Sequence, residues 1–248
     1  MSDSCLLGKS ALVTGGAQRI GRAIALELAL AGADVAITFR VSRAEAAATA
    51  REIEEMGRRA LAVECDVRSE VSVREAVAAV AERFGRLDLV VNNAAAFVSA
   101  PLESLSIEQW NTVFETNARG PFLVAREALP YLRAGNDGEQ ARIINIGSLG
   151  GIEAWADHAD YCASKAALHR LTQAMAKAFA PRISVNCVAP GWIETGRESP
   201  AQAAHFAART PMRRNGSVED VARAVLFFAS GPHFITGQIL VVDGGLGL

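Results

Sequence analysis

Ala11-Leu-Val-Thr-Gly15-Gly16-Ala-Gln18-Arg19-Ile20-Gly21 is the stretch from which the fold is read. Ala11 to Thr14 is short and apolar on both sides, as a strand covered by helices on both faces must be. Gly15 and Gly16 can take backbone angles closed to other residues and let the main chain approach a ligand. Ile20 to Ala31 has helical periodicity, and Gly32 stops it. The start of that helix offers unpaired N–H groups and a partial positive charge, which suits a pyrophosphate. A glycine cluster alone can simply end a strand. Set between a first strand and a first helix, it points to dinucleotide binding.

Working outward, the same alternation recurs. Asp34 to Phe39 is predicted as the second strand, with a helix over Arg43 to Met56 stopped by Gly57. Ala60 to Val63 is the third, with a helix over Glu70 to Phe84 stopped by Gly85. Leu87 to Val91, Arg142 to Ile146, Ile183 to Val188 and Gln238 to Val242 complete seven candidate strands. Strands alternating with helices imply right-handed crossovers and an α/β fold, one open doubly wound parallel sheet with helices on both faces. Ligands in such sheets sit beyond the carboxyl ends of the strands, where strand order reverses. The residues just after each strand are therefore the ones to read.

Composition narrows the class. The 248 residues carry 25 Lys+Arg against 27 Asp+Glu, a net charge of −2, which gives no electrostatic footprint for nucleic acid or an anionic membrane. Half the residues are hydrophobic and 21% are charged, which suits a globular chain of one domain, residues 1–248. No stretch reaches the roughly 18 apolar residues of a membrane span, and Met1-Ser2-Asp3-Ser4 lacks the order of a secretion signal. A cytoplasmic protein is the expectation. Cys5, Cys65, Cys162 and Cys187 form no Cys-x-x-Cys pair, and the four histidines show no metal-ligand spacing, so no metal is expected.

The end of the second strand bears on the choice of nicotinamide cofactor. An NAD site places Asp or Glu roughly 20 residues beyond the glycines, on the ribose 2′-hydroxyl. Here Arg40 stands 19 positions past Gly21. A guanidinium clamps a 2′-phosphate with two hydrogen bonds and offers little to a hydroxyl, so NADP(H) is predicted, with Arg43 as a second contact. A solvated charge at a strand end is the competing reading of Arg40. Asp66 can accept from the adenine amino group or, equally, cap the next helix. Asn92-Asn93-Ala94-Ala95 is a small-residue turn past which a cofactor can run.

The chemistry is read from Tyr161-Cys162-Ala163-Ser164-Lys165 at the start of a helix. Residues i and i+4 share a helical face, so the phenol and the ammonium are neighbours. Free tyrosine titrates near 10, and an adjacent positive charge is expected to lower it by roughly 1–3 units. Tyr161 then serves as an acid for carbonyl reduction and a base for alcohol oxidation. Ser148 follows the fifth strand, at the sheet edge where substrate is expected. Cys162 reads better as a small packing residue than as a redox switch.

Over nearly its whole length the sequence resembles the short-chain dehydrogenase/reductases. The resemblance rests on Thr14 to Gly21, Asp66, Asn92-Asn93-Ala94, Asn117, Ser148, Tyr161 with Lys165, Pro190-Gly191 and Asp243-Gly244-Gly245, in the family's order. Ser148 stands 13 residues before Tyr161, the family's usual interval. The resemblance implies a Rossmann-type fold and a catalytic set of Asn117, Ser148, Tyr161 and Lys165. Ser148 would hold the carbonyl oxygen and Tyr161 deliver the proton. Lys165 would bind the nicotinamide ribose and tune Tyr161, and Asn117 would hold a water linking Lys165 to solvent. Cofactor contacts would come from Gly15, Gln18, Arg19, Ile20, Gly21, Arg40, Asp66, Val67, Asn93, Ala94, Pro190 and Gly191. Ile193 main chain and the Thr195 hydroxyl would lie near the carboxamide, and Tyr161 and Lys165 would also touch the cofactor. Oxyanion stabilisation with a positioned acid is what hydride addition to a carbonyl requires.

Two departures bear on substrate. Arg19 stands where the family commonly has its middle glycine, and Asn-Asn-Ala-Gly reads Asn-Asn-Ala-Ala here. Arg19 and the Ile235-Thr-Gly237 and Val242-to-Leu246 segments resemble the pteridine reductase branch. That branch carries aspartate where this chain has Ser148, and the serine resembles the 3-oxoacyl-[acyl-carrier-protein] reductases. A 3-oxoacyl thioester or small ketone is therefore the favoured carbonyl/alcohol substrate, ahead of a pterin. A catalytically silent NADP-binding regulator is the third reading, disfavoured by the complete set of four. Glu194 to Pro211 resembles the variable substrate lid. Phe97, Trp155, His158 and Trp192 are expected to line the pocket, with Trp155 and His158 alternatively facing another subunit. Relatives are commonly tetramers, so the resemblance implies a homotetramer packed through helices Ile107–Leu132 and Tyr161–Phe179.

Overall fold

The computed structural model describes residues 5–134 and 140–248; the Met1–Ser4 segment read above lies outside them. Seven strands form one parallel sheet: β1 (Ser10–Val13), β2 (Asp34–Phe39), β3 (Ala60–Glu64), β4 (Leu89–Asn92), β5 (Ala141–Ile146), β6 (Ile183–Pro190) and β7 (Ile239–Val242). The helices between them are α1 (Arg19–Leu30), α2 (Arg43–Glu55), α3 (Glu70–Phe84), α4 (Ile107–Phe114), α5 (Gly120–Ala134), α6 (Ala159–Phe179), α7 (Pro200–Arg209) and α8 (Val218–Ser230). Strand order is β3-β2-β1-β4-β5-β6-β7, so the order reverses between β1 and β4 and opens a crevice beyond their carboxyl ends.

Side chains alternate between the two faces of each strand. Val13, Ile37, Val91 and Ile144 pack with Ile24 and Leu28 of α1 and Val225 and Phe228 of α8. Leu12, Ala36, Val90 and Ile143 pack on the other side with Val77 of α3, Val124 of α5 and Met175 of α6. Both faces are apolar because both are covered.

Most elements begin or end one or two residues from the expected bounds, and β4 and the helix predicted after it are two examples. β4 starts at Leu89; just before it the Asp88 carboxylate accepts from the N–H of Ser10 (2.8 Å) and pairs with Arg86 (2.5 Å). The helix predicted from Ile107 to Leu132 is interrupted by a π turn over Glu115–Arg119, with Asn117 buried inside it. Among the described residues no helix is long and apolar enough to cross a membrane.

Candidate active site

Thr14 organises the switch point. Its hydroxyl accepts from the N–H groups of Asn93 (3.0 Å) and Ala94 (3.1 Å). The Asn93 side chain donates to the carbonyls of Thr14 (2.9 Å) and Gly15 (3.1 Å), and the Thr38 hydroxyl accepts from Gly15 N–H at 3.2 Å. The glycine turn is thus clamped from both neighbouring strands. Gly15 takes φ +64°, and a Cβ on Gly21 would come within 2.2 Å of the Gly15 oxygen. Arg19 also takes φ +51°, a conformation that costs a side-chain-bearing residue about 1 kcal/mol.

Helix α1 has no side-chain cap at Gln18 and no acidic residue in its first turn. Its first N–H groups are left for an anion, while Gln18 itself donates to Ser42 (3.1 Å) and accepts from Arg197 (3.3 Å). These groups border one cavity of about 1270 Å³ that runs from Arg40 and Asp66 past Tyr161 to Trp192 and Phe206. Its size, uncapped helix start and flanking Arg19 and Arg40 fit a dinucleotide with a small substrate beside it. Arg40 stands exposed at the cavity edge. Arg43 is turned elsewhere: it pairs with Glu64 and lies over the Phe39 ring. Asp66 is held by Arg68 at 2.6 Å. The cap of α3 is Ser69, whose hydroxyl accepts from Ser72 N–H at 3.3 Å, so Asp66 is not needed there.

The reactive half is built where the turn after β5 meets α6. Ser148 caps a one-turn 3-10 helix, Leu149–Gly151, and its hydroxyl accepts from Gly150 N–H at 3.1 Å. A Cβ on Gly150 would meet the Trp155 ring at 2.9 Å, and one on Gly151 would meet the Lys165 main chain at 2.9 Å. The glycines let this turn sit directly on α6, which brings Ser148 to Tyr161. Burial raises the Tyr161 phenol above its ordinary value, and a hydrogen bond with Ser148 works against that rise. The lowering expected from Lys165 is therefore absent. The Lys165 ammonium donates to the Ile146 carbonyl at 2.7 Å and lies 5.7 Å from the centre of the Tyr161 ring. Burial pushes Lys165 itself down to about 8.

Aromatic rings surround the phenol. Phe97 meets Tyr161 edge-on at 4.7 Å and stacks on His158 at 4.6 Å, while Trp155 lies parallel to Tyr161 at 6.1 Å. At the far wall Trp192 stacks on Phe206 of α7 at 3.7 Å. The Thr195 hydroxyl donates to Glu198 at 2.7 Å, and the same carboxylate accepts from the N–H groups of Gly196 (2.9 Å) and Arg197 (3.0 Å).

Apart from Arg43, every predicted cofactor residue borders the cavity, as do Ser148, Tyr161 and Lys165. Asn117 lies behind the wall. Its side chain accepts from Ala96 N–H (2.8 Å) and donates to the Ala96 carbonyl (2.9 Å) and the Ser164 hydroxyl (3.0 Å). Cys162 is buried, and burial raises its thiol, as befits a packing residue. Residues not singled out from sequence also line the cavity, among them Glu153, Glu198, Phe206 and Arg209. The regular 3.6-residue face of the lid helix carries Phe206 and was the one signal available for it.

Comparison with known proteins agrees with this architecture. A family model described as enoyl-(acyl carrier protein) reductase matches residues 15–247. A 3-oxoacyl-[acyl-carrier-protein] reductase of Staphylococcus epidermidis is 35% identical over 245 residues, covering 97% of this chain and 99% of that protein. A short-chain dehydrogenase from Burkholderia cenocepacia, solved in complex with NADP, is 39% identical with a TM-score of 0.91, covering 99% of this chain and 100% of that one. A blue fluorescent protein from a metagenomic library, solved with NADPH, is 36% identical with a TM-score of 0.91, covering 99% and 100%. The fold and site define a dinucleotide-dependent oxidoreductase. The chain belongs to the short-chain dehydrogenase/reductase family.

Proposed function

We propose that the chain is an NADPH-dependent carbonyl reductase whose catalytic set is Ser148, Tyr161, Lys165 and Asn117. The favoured substrate is a 3-oxoacyl thioester or a small ketone. The observation that carries the reading is the meeting of the Ser148 hydroxyl with the Tyr161 phenol above a buried Lys165. Two relatives solved with NADP or NADPH support the cofactor, and so does Arg40 at the cavity edge. Gly15, Gly21 and the first N–H groups of α1 would hold its diphosphate, and Arg40 its 2′-phosphate.

The bound cofactor supplies the hydride. Ser148, its oxygen already accepting from Gly150, would turn its hydroxyl hydrogen from Tyr161 to the substrate oxygen. Tyr161 hands its proton to the alkoxide as that forms. Lys165, buried one turn along α6 with its ammonium on the Ile146 carbonyl, would hold the nicotinamide ribose. The Asn117 side chain is spent on Ala96 and Ser164, which leaves its main chain to hold the relay water. Residues 194–211, tied down by the Trp192–Phe206 stack, act as the lid. Leu240 and Val241, apolar and partly exposed on the edge strand β7, support assembly into a homotetramer, which light scattering on purified protein checks.

The test is NADPH consumption against a panel containing an acetoacetyl thioester, simple ketones and diketones, and oxidised pterins. Turnover of a thioester or ketone that is lost in Tyr161→Phe, with NADPH binding kept, is the expected outcome. Turnover confined to pterins would place Arg19 above Ser148 in setting the substrate. NADPH binding with no turnover of any compound would move the chain to the regulatory reading.

A further inference from the structure

We propose that His169 is a positioning residue that sets the Ser148 hydroxyl from behind. The inference rests on the reading of Ser148 as the donor to the substrate oxygen. Tyr161, Lys165 and His169 occupy successive turns of α6, at i, i+4 and i+8. The first two border the cavity, and the third is buried beneath the turn that carries Ser148.

The imidazole joins the two ends of that turn. Its Nε2 stands 3.4 Å from the N–H of Ser148, and the ring also hydrogen-bonds the carbonyl of Gly151. A neutral imidazole has one N–H and one lone pair. Accepting from Ser148 N–H takes the Nε2 lone pair, so the ring N–H is on Nδ1, the edge that faces Gly151. Burial first, and the nearby Lys165 second, hold the ring neutral, pushing its pKa down to about 4. With its N–H anchored by His169, its carbonyl by Gly151 N–H at 2.9 Å and its hydroxyl oxygen by Gly150 N–H, Ser148 has no freedom left except the direction of its O–H.

The glycines of the turn are matched to this ring. A Cβ at Gly147 would lie 2.3 Å from His169 Nε2, and one at Gly151 would lie 2.6 Å from Cε1. An apolar side chain of similar size would fill the same space, but it would leave the buried Ser148 N–H without its partner. Gly147, Gly151 and His169 are thus one unit, and its product is the placement of a hydroxyl 21 positions earlier in the chain.

Two substitutions separate placement from filling. His169→Leu keeps bulk and removes both polar atoms, whereas His169→Gln keeps an acceptor for the Ser148 N–H. Measured on the full chain with the best carbonyl substrate, His169→Leu is expected to lower kcat about ten-fold, with NADPH Kd and substrate KM within about two-fold, and His169→Gln to recover most of the loss. In a Ser148→Ala background His169→Leu should add less than about two-fold, because the histidine acts only through the serine. Equal losses in the Leu and Gln variants, or an undiminished effect without Ser148, would overturn the proposal. Should the Leu variant fail to fold, nitrogen-15 NMR of the wild-type ring decides: the neutral Nδ1–H tautomer through pH 5.5–8 is expected, and an Nε2–H tautomer or a charged ring would refute it. Wild-type turnover in Ser148→Ala itself would instead bring down the reading of Ser148, with the NMR result unaffected.

Discussion

The Lys165 ammonium donates to the Ile146 carbonyl at 2.7 Å, in a pocket that excludes water from it almost completely. One carbonyl does not replace the hydration of an ammonium, and burial accordingly pushes Lys165 down to about 8. In the unfolded chain the same lysine titrates near 10.4. Between these values the unfolded state binds more protons, so stability rises with pH there. Below pH 8 the buried charge costs folding free energy in full. Lys165→Met should therefore abolish turnover while raising stability at pH 7 by roughly 2 kcal/mol, after allowance for the lost bond to Ile146. The gain should shrink from pH 8 upward and reverse by about pH 10.5, where only the lost bond to Ile146 remains. Urea unfolding at pH 7 and pH 10 tests it, and a destabilised variant at pH 7 would contradict the account.

Gly21 is pressed between a carbonyl and an amide. A methyl there would stand 2.2 Å from the Gly15 oxygen and 2.4 Å from Asn93 Nδ2. The Gly15 oxygen belongs to a backbone already clamped by Asn93, so the turn has nowhere to go. Gly21→Ala is expected to cost about 2 kcal/mol of stability and to weaken NADPH at least ten-fold, since the same turn faces the diphosphate. Thermal unfolding and fluorescence titration read the two effects. A stable variant with native affinity would mean that the turn is softer than its hydrogen bonds imply.

Arg40 carries the cofactor preference. It stands exposed at the end of β2, while Arg43 is occupied by Glu64. Arg40→Asp should weaken NADPH by roughly 10- to 100-fold, the range expected for charge-assisted bonds to a phosphate, and leave NADH unchanged or improved. Parallel titrations with the two cofactors give the ratio. An unchanged ratio would return Arg40 to the role of a solvated strand-end charge.

These sites differ in how plainly the sequence announced them. β2 has the bounds read from its apolar run, Asp34–Phe39, because a strand buried on both faces must be apolar throughout. The pairing of Ser148 with Tyr161 was legible only through the resemblance to the family, in which the two stand at this interval. What could not be read depends on rotamers and on insertions. The π turn at Glu115–Arg119 adds a residue to a helix turn without any marker of composition. The expected electrostatic help from Lys165 to Tyr161 failed because the ammonium swings to Ile146, and i, i+4 spacing gives proximity but no rotamer. His169 was within reach: it extends the Tyr161–Lys165 spacing by one more turn, opposite a segment with glycine at 147, 150 and 151.

Glu198 closes the loop at the cavity mouth upon itself. Its carboxylate accepts from the N–H groups of Thr195, Gly196 and Arg197 and from the Thr195 hydroxyl. Partial burial alone would raise it, yet those donors hold it down to about 2. Three main-chain N–H groups converging on one acceptor form an anion site, filled here by the chain's own carboxylate at the place where Thr195 is expected to meet the nicotinamide end of the cofactor. Cofactor binding must then compete with Glu198 for the Thr195 hydroxyl. Glu198→Gln removes the charge and half the acceptor capacity, so NADPH should bind about three- to ten-fold tighter, while amides 195–197 exchange faster in the free protein. Because the wild-type group stays ionised well below neutral pH, the difference between the two proteins should be flat from pH 5.5 to 9. Weaker NADPH binding in Glu198→Gln would show instead that the carboxylate pre-forms the loop for the cofactor.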